Sequence, residues 1–114
     1  METIQATIRS LGITGRYKGY RYIVHALELT VARNDRLEAV VKEIYMETAD
    51  HFGCSWITVE RNIRTVVSHA WQVNPGLLRE MAGYPLNYNP EPSEFIEIVA
   101  MYIINSNQEQ QRGL

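Results

Sequence analysis

Apolar residues recur along most of the chain at spacings of three and four, which is the period of an amphipathic α-helix. The clearest example follows Ser55, where one side of the predicted helix is apolar: Trp56, Val59, Ile63, Val66, Val67 and Ala70. The other side of the same helix is polar: Thr58, Arg61, Arg64, Thr65 and Ser68. No convincing β-hairpin pattern appears. We therefore predict an all-α fold, a compact six- to seven-helix domain.

Glycine, proline and capping residues divide the chain into helices. The predicted helices cover about residues 4–11, 20–33, 37–44, 46–52, 55–72 and 77–81, followed by a last apolar helix that Ser93 caps. A chain of 114 residues is the size of one domain with one core. We expect an ordered core over about residues 2–105 and a polar C-terminal tail over residues 106–114.

The spacing Ala49-x3-Gly53-x5-Val59 fits a helix-turn-helix. A small residue lets the two helices approach, a glycine adopts the left-handed turn, and a later aliphatic residue anchors the second helix in the core. This interpretation places the second helix, about residues 55–72, in the DNA major groove. The alternative is an ordinary glycine turn between two helices that do not bind DNA.

Several polar residues are candidates for DNA contacts on this interpretation. Arg61 suits a bidentate contact with guanine O6 and N7, and Glu60 could accept a hydrogen bond from cytosine N4. Ser55 would cap the helix and direct its N-terminus towards a phosphate. The remaining candidates on this helix are Thr58, Asn62, Arg64 and Thr65.

The segment GRYKGYRY, residues 15–22, interleaves three cations with three tyrosines. Lys18 and Arg21 are therefore candidates for contacts with the DNA backbone. The alternative is that the tyrosines face the core and the cations face water.

Composition and charge restrict the other possibilities. The net charge of −2 argues against a surface that binds nucleic acid everywhere, but the charge is polarised, with cations concentrated between residues 14 and 34 and glutamates from residue 80 onward. The single cysteine, Cys54, excludes an internal disulfide, and with no signal sequence or membrane span we expect a cytoplasmic protein. His51-x2-Cys54 supplies fewer than the four ligands of a structural zinc. We expect no catalytic residue, no metal and no cofactor.

Short motifs then carry a family resemblance. They are LGI at 11–13, KGY at 18–20, Asn34-Asp35, VER at 59–61, IR at 63–64, AW at 70–71, GY at 83–84 and SEFI at 93–96. In order and spacing the chain resembles the C-terminal DNA-binding domain of the sporulation-initiation response regulators, the stage-zero sporulation protein A family. The resemblance implies a six-helix effector domain that binds promoter DNA, often as a tandem dimer, and contacts the RNA polymerase sigma factor. It also implies that Glu60, Arg61 and Arg64 are retained polar residues of the recognition helix.

The sequence departs from the family at three places. Ile57-Thr58 stand where the family has Ser-Arg, Thr65 replaces a histidine, and the segment PLNYNPEPSEF at 85–95 lacks the family's basic residues. Two functions therefore stay open: a sequence-specific transcriptional regulator, and a protein-interaction module of the same fold that has lost DNA binding and contacts sigma factor or another regulator. The family's receiver domain is not in this sequence, so the chain is either a fragment of a larger response regulator or a free-standing relative.

Overall fold

The computed structural model describes the backbone of residues 3–112 and the side chains of residues 3–109. Within these residues the α-helices are α1 (Ile4–Ser10), α2 (Gly19–Ala32), α3 (Met46–Phe52), α4 (Trp56–Val73), α5 (Pro75–Ala82) and α6 (Pro92–Arg112). This part of the chain contains no β-strand. The predicted all-α fold is confirmed. No helix in it is both long enough and apolar enough to span a membrane.

The segment before α3 differs from the regular helix that its apolar spacing predicts. It is a 3-10 helix over Asn34–Ala39 followed by one turn of π-helix over Val41–Tyr45, which runs directly into α3. In the π turn the Met46 N–H donates to the Val41 carbonyl, five residues back. A spacing of three and four cannot distinguish these variants from an α-helix, because each variant is too short here for its own period to appear in the sequence.

The last helix also differs from its prediction at both ends. It begins at Pro92, so Ser93 lies within its first turn and is not the cap. Proline suits the first helical position because its fixed φ is already helical and it has no N–H to satisfy. The helix continues through Ser106 to Arg112, so the predicted tail is helical over most of its length. Glu2, the start of the expected core, and residues 113–114 lie outside the described residues.

The core lies where α2, α4 and α6 pack together. Its fully buried side chains include Ile23 and Leu27 from α2, Ile63 from α4, and Phe95 and Val99 from α6. Every inward residue predicted for the helix after Ser55 is buried except Trp56, which is 36% exposed. This prediction was wrong because Trp56 is the first residue of α4, where the core ends.

The start of α2 approaches α4 without intervening side chains. A Cβ atom placed on Gly19 would lie 2.4 Å from the carbonyl oxygen of Asn62 and 3.0 Å from a methyl group of Val66. Only a residue without a side chain fits this gap. The contact fixes the loop that precedes α2 beside the outer side of α4.

Candidate nucleic-acid interface

Helices α3 and α4 are joined by a turn of three residues, 53–55. Gly53 has the left-handed conformation, with φ 68°, and the N–H groups of Gly53 and Cys54 both donate to the Ala49 carbonyl. Ser55 caps the N-terminus of α4, since its Oγ accepts a hydrogen bond from the Thr58 N–H at 3.2 Å. Val59 is fully buried in the next turn. These are the local features that the helix-turn-helix prediction requires.

The outer face of α4 consists of Thr58, Arg61 and Thr65. Arg61 lies on the side of the helix opposite the buried Val59 and Ile63, and its side chain is exposed. It forms no ion pair with any of the side chains that the structure describes. The Thr65 hydroxyl donates to the Arg61 carbonyl at 3.3 Å and is also exposed. Arg61 is therefore an exposed charged residue of α4 that has no ion pair with a described side chain.

One edge of the outer face borders the loop before α2. Thr58 and Asn62 line a cavity of about 500 Å³ together with residues 15–18 and 20–22. The Asn62 amide donates to the Thr58 carbonyl at 2.8 Å, so one of its N–H donors is already used within α4. The Tyr17 hydroxyl lies 2.9 Å from His69 Nε2, which holds this loop against α4.

Three cations line this cavity: Arg16, Lys18 and Arg21. We call them the basic flank. Lys18 is exposed immediately before the first residue of α2. The Arg21 guanidinium lies 5.2 Å from the centres of the Tyr22 and Phe52 rings, a cation–π arrangement that fixes its position. The basic flank and the outer face of α4 therefore form one continuous surface.

The other edge of the outer face is acidic. Arg64 Nε donates to Glu60 Oε1 at 2.9 Å, and Arg64 Nη2 lies 2.8 Å from Glu91 Oε2. We call Glu60 and Glu91, with Arg64 between them, the acidic flank. The hydrogen bonds that Arg64 donates to Glu91 and, second, to Glu60 raise the pKa of Arg64 above its ordinary value. Arg64 is therefore bound within the protein, in contrast to Arg61.

The loop that carries Glu91 is fastened beside α4. The Asn89 side-chain amide donates to the Ser68 hydroxyl at 2.9 Å. At the other end of the loop, the hydroxyls of Tyr84 and Tyr88 both donate to Glu94 Oε2, at 2.6 and 3.0 Å. These contacts raise the pKa of both tyrosines, and the Glu94 hydrogen bond is the largest cause.

Residues 4–103 match the protein family described as "Sporulation initiation factor Spo0A C terminal". The chain belongs to this family. It is a family of DNA-binding transcription regulators of sporulation and not a family of enzymes. The resemblance found in the sequence is therefore confirmed.

Within the Spo0A C-terminal fold of this chain, the predicted site residues divide into two groups. The first group surrounds the outer face of α4 and the cavity beside it: Ser55, Thr58, Arg61, Asn62, Thr65, Lys18 and Arg21. Glu60 and Arg64 form the second group, on the acidic flank. Arg16 and Glu91 were not among the predicted site residues. Arg16 could have been predicted as a site residue, because it lies in the basic segment 15–22. Glu91 could not, because its partner Arg64 is distant in sequence and no local pattern links the two.

A pair of histidines lies between α2, which carries His25, and α3, which carries His51. The rings of His25 and His51 stack with their centres 4.2 Å apart, and Phe52 packs edge-on against both. Burial, and then the nearby His51, lower the pKa of His25 below 6.5. The described residues contain no group of three or more His, Cys, Asp or Glu side chains that could hold a metal ion.

Proposed function

We propose that the chain is a sequence-specific, double-stranded DNA-binding transcriptional regulator in which α3 and α4 form the helix-turn-helix. The recognition helix α4 enters the major groove with its outer face towards the bases. The observation that carries this proposal concerns Arg61. Its side chain is exposed on the side of α4 that faces away from the core, and it forms no ion pair with a described side chain. An arginine in this state is available for a bidentate contact with guanine without first breaking an internal ion pair.

The other side chains of this surface take supporting roles. Thr58 and Thr65 lie one turn away from Arg61 on the same face and contact neighbouring base edges. Lys18 and Arg21 contact phosphates, because the basic flank lies where the backbone would pass if α4 occupied the groove. The Ser55 hydroxyl caps α4, so the first N–H groups of that helix can face a phosphate.

Asn62 and the acidic flank contribute less to this surface. The Asn62 side chain retains its carbonyl oxygen and one N–H for DNA, since its other N–H bonds to Thr58. Glu60 orients Arg64 and does not itself face the bases. In this arrangement promoter boxes placed in tandem accommodate two copies of the chain.

A second candidate function is a protein-interaction module that contacts RNA polymerase sigma factor or another regulator. It is favoured by an exposed apolar patch beside the acidic flank. Val41 is 41% exposed, and Ile57 is 53% exposed in the first turn of α4. Trp56 stacks parallel to Tyr45 in the same region, with ring centres 6.4 Å apart. An apolar patch next to the DNA-binding surface suits a protein that binds beside the DNA.

The two functions are separated by measuring the dissociation constants for the family's promoter box and for a random duplex at two salt concentrations. We expect the box to bind more tightly, and Arg61→Ala to weaken box binding by about 5- to 150-fold, the value of one bidentate base contact. Arg9→Ala is the matched control, because Arg9 is an exposed arginine of α1 and its loss changes the net charge equally. If the wild-type chain binds neither duplex at low salt, the DNA-binding proposal is wrong and the second candidate replaces it.

A further inference from the structure

Glu91 contacts the one arginine on α4 that is not free. Its carboxylate lies 2.8 Å from Nη2 of Arg64, while Glu60 accepts a hydrogen bond from Nε of the same guanidinium. The two carboxylates therefore occupy adjacent nitrogens of one edge of the guanidinium. A carboxylate, a phosphate and the guanine O6/N7 edge all compete for such a pair of nitrogens, because each presents two acceptors to it.

The backbone of Glu91 is held in place from both sides. Pro90 and Pro92 flank it and are both buried, and a proline has a fixed φ. The Glu91 carbonyl accepts a hydrogen bond from the Phe95 N–H at 2.9 Å, and Asn89 bonds to Ser68 of α4. Because the backbone is already ordered, the ion pair with Arg64 forms at the cost of side-chain entropy alone, with no further loss of backbone entropy.

Glu91 itself is 67% exposed and Arg64 is 49% exposed, so a DNA strand reaching the acidic flank would meet both side chains. The exposed carboxylate of Glu91 repels phosphates, and one edge of the Arg64 guanidinium is already bound to carboxylates. Arg64 can turn this edge of its guanidinium towards DNA only if Glu91 releases it.

We propose that Glu91 is a positioning residue that lowers DNA affinity by holding Arg64 in an internal ion pair. It acts through Arg64 and not by contact with DNA. The inference rests on the proposed DNA-binding function of α4 and adds to it a residue, outside the helix-turn-helix, that sets the strength of binding. In this chain Arg61 reads the DNA and Arg64 is withheld from it.

The test is a double-mutant cycle on DNA affinity with four proteins: wild type, Glu91→Gln, Arg64→Ala and the double variant. Glutamine keeps the size of the side chain and removes its charge. An exposed ion pair contributes about 0.2–1 kcal/mol, so Glu91→Gln should tighten binding to the promoter box by about 1.5- to 5-fold at 0.1 M salt. The freed Arg64 should also neutralise one more phosphate, so the slope of log K against log salt should steepen by about 0.9.

The matched control is Glu109→Gln, which makes the same change of net charge near the other end of α6. Glu109 is exposed and lies 17 residues beyond Pro92, which corresponds to about 25 Å along the helix. That distance exceeds the electrostatic screening length of about 10 Å at 0.1 M salt, so the DNA affinity of Glu109→Gln should match that of wild type. Circular dichroism and thermal unfolding of all variants confirm that each protein is folded.

The outcomes are distinguishable. The inference is supported if the gain and the steeper slope appear in Glu91→Gln and disappear when Arg64 is also alanine. An equal gain without Arg64 overturns it, because general charge repulsion then explains the effect. If wild type binds the box through Arg61 while Glu91→Gln changes nothing or weakens binding, the inference fails and the proposed function stands. If neither wild type nor Glu91→Gln binds any duplex at low salt, both are wrong.

Discussion

Replacing Gly19 with alanine tests how α2 is held against the recognition helix. At an unconstrained helical position this change stabilises a protein by up to about 1 kcal/mol, because alanine is the better helix former. Here the new Cβ would lie 2.4 Å from the Asn62 carbonyl oxygen and 2.9 Å from its carbonyl carbon, whereas ordinary contacts begin near 3.4 Å. The two helices must therefore separate by about 1 Å, the difference between 3.4 and 2.4 Å.

The clash should exceed the gain in helix propensity. The atom that the new Cβ would meet first is the Asn62 carbonyl oxygen in the middle of α4. A backbone atom cannot rotate away as a side chain would. Overpacking a well-packed site costs about 1–3 kcal/mol, and the affected helix pair forms much of the core. We expect Gly19→Ala to lower the free energy of unfolding by about 1–3 kcal/mol. For a domain of this size that corresponds to a fall in Tm of about 4–12 °C.

The assay is urea and thermal unfolding followed by circular dichroism, with Gly76→Ala as the control. Gly76 lies in the first turn of α5, has no positive φ, and a Cβ there would meet nothing within 4 Å. Gly76→Ala should leave stability unchanged or raise it by up to about 1 kcal/mol. If Gly19→Ala is as stable as Gly76→Ala, the close approach of α2 and α4 is not as the structure shows it.

Two further predictions concern the cap of α4 and the histidine pair. Ser55→Ala removes the hydrogen bond to the Thr58 N–H and should cost about 1 kcal/mol in urea unfolding, whereas Ser55→Asp can still cap and should stay near wild type; equal losses in both would contradict the capping role. Burial and the charge of His51 lower the pKa of His25, so below pH 6.5 the unfolded chain takes up a proton more readily than the folded one. Stability should therefore fall as the pH is lowered from about 7 through 6.5 towards the folded pKa. His25→Gln should reduce this fall, and an unchanged pH dependence of Tm would refute the assignment.

The helices were predictable because each buries one side, and burial leaves a period in the sequence. That period gave the inward side of α4 at Val59, Ile63 and Val66, which are fully buried. It failed at Trp56, since a residue at the end of a helix can have the correct angle and still lie beyond the core. It also could not show that the segment before α3 contains a 3-10 and a π turn, because each of these turns is too short for its own period to appear in the sequence.

The candidate site was predictable only where its residues are close in sequence. Arg61 and Thr65 were predicted because they lie on the polar side of one helix. The cations of the basic flank were recognisable because they lie in one short segment, residues 15–22. The pairing of Arg64 with Glu91 depends on the path of the loop before α6, which no local pattern specifies. The sequence favoured Arg61 for the contact with guanine and kept Arg64 as a further candidate, but only the structure shows that Arg64 is bound while Arg61 forms no ion pair with a described side chain.

The central claim is that Arg61 on α4 reads DNA sequence. The most direct test is the ratio of the dissociation constants for random duplex and for the family's promoter box, measured by fluorescence anisotropy at one salt concentration for wild type and Arg61→Ala. We predict a ratio well above one for wild type, reduced by about 5- to 150-fold in the variant while binding to random duplex changes far less. A ratio that Arg61→Ala leaves unchanged would show that α4 does not read bases through this residue.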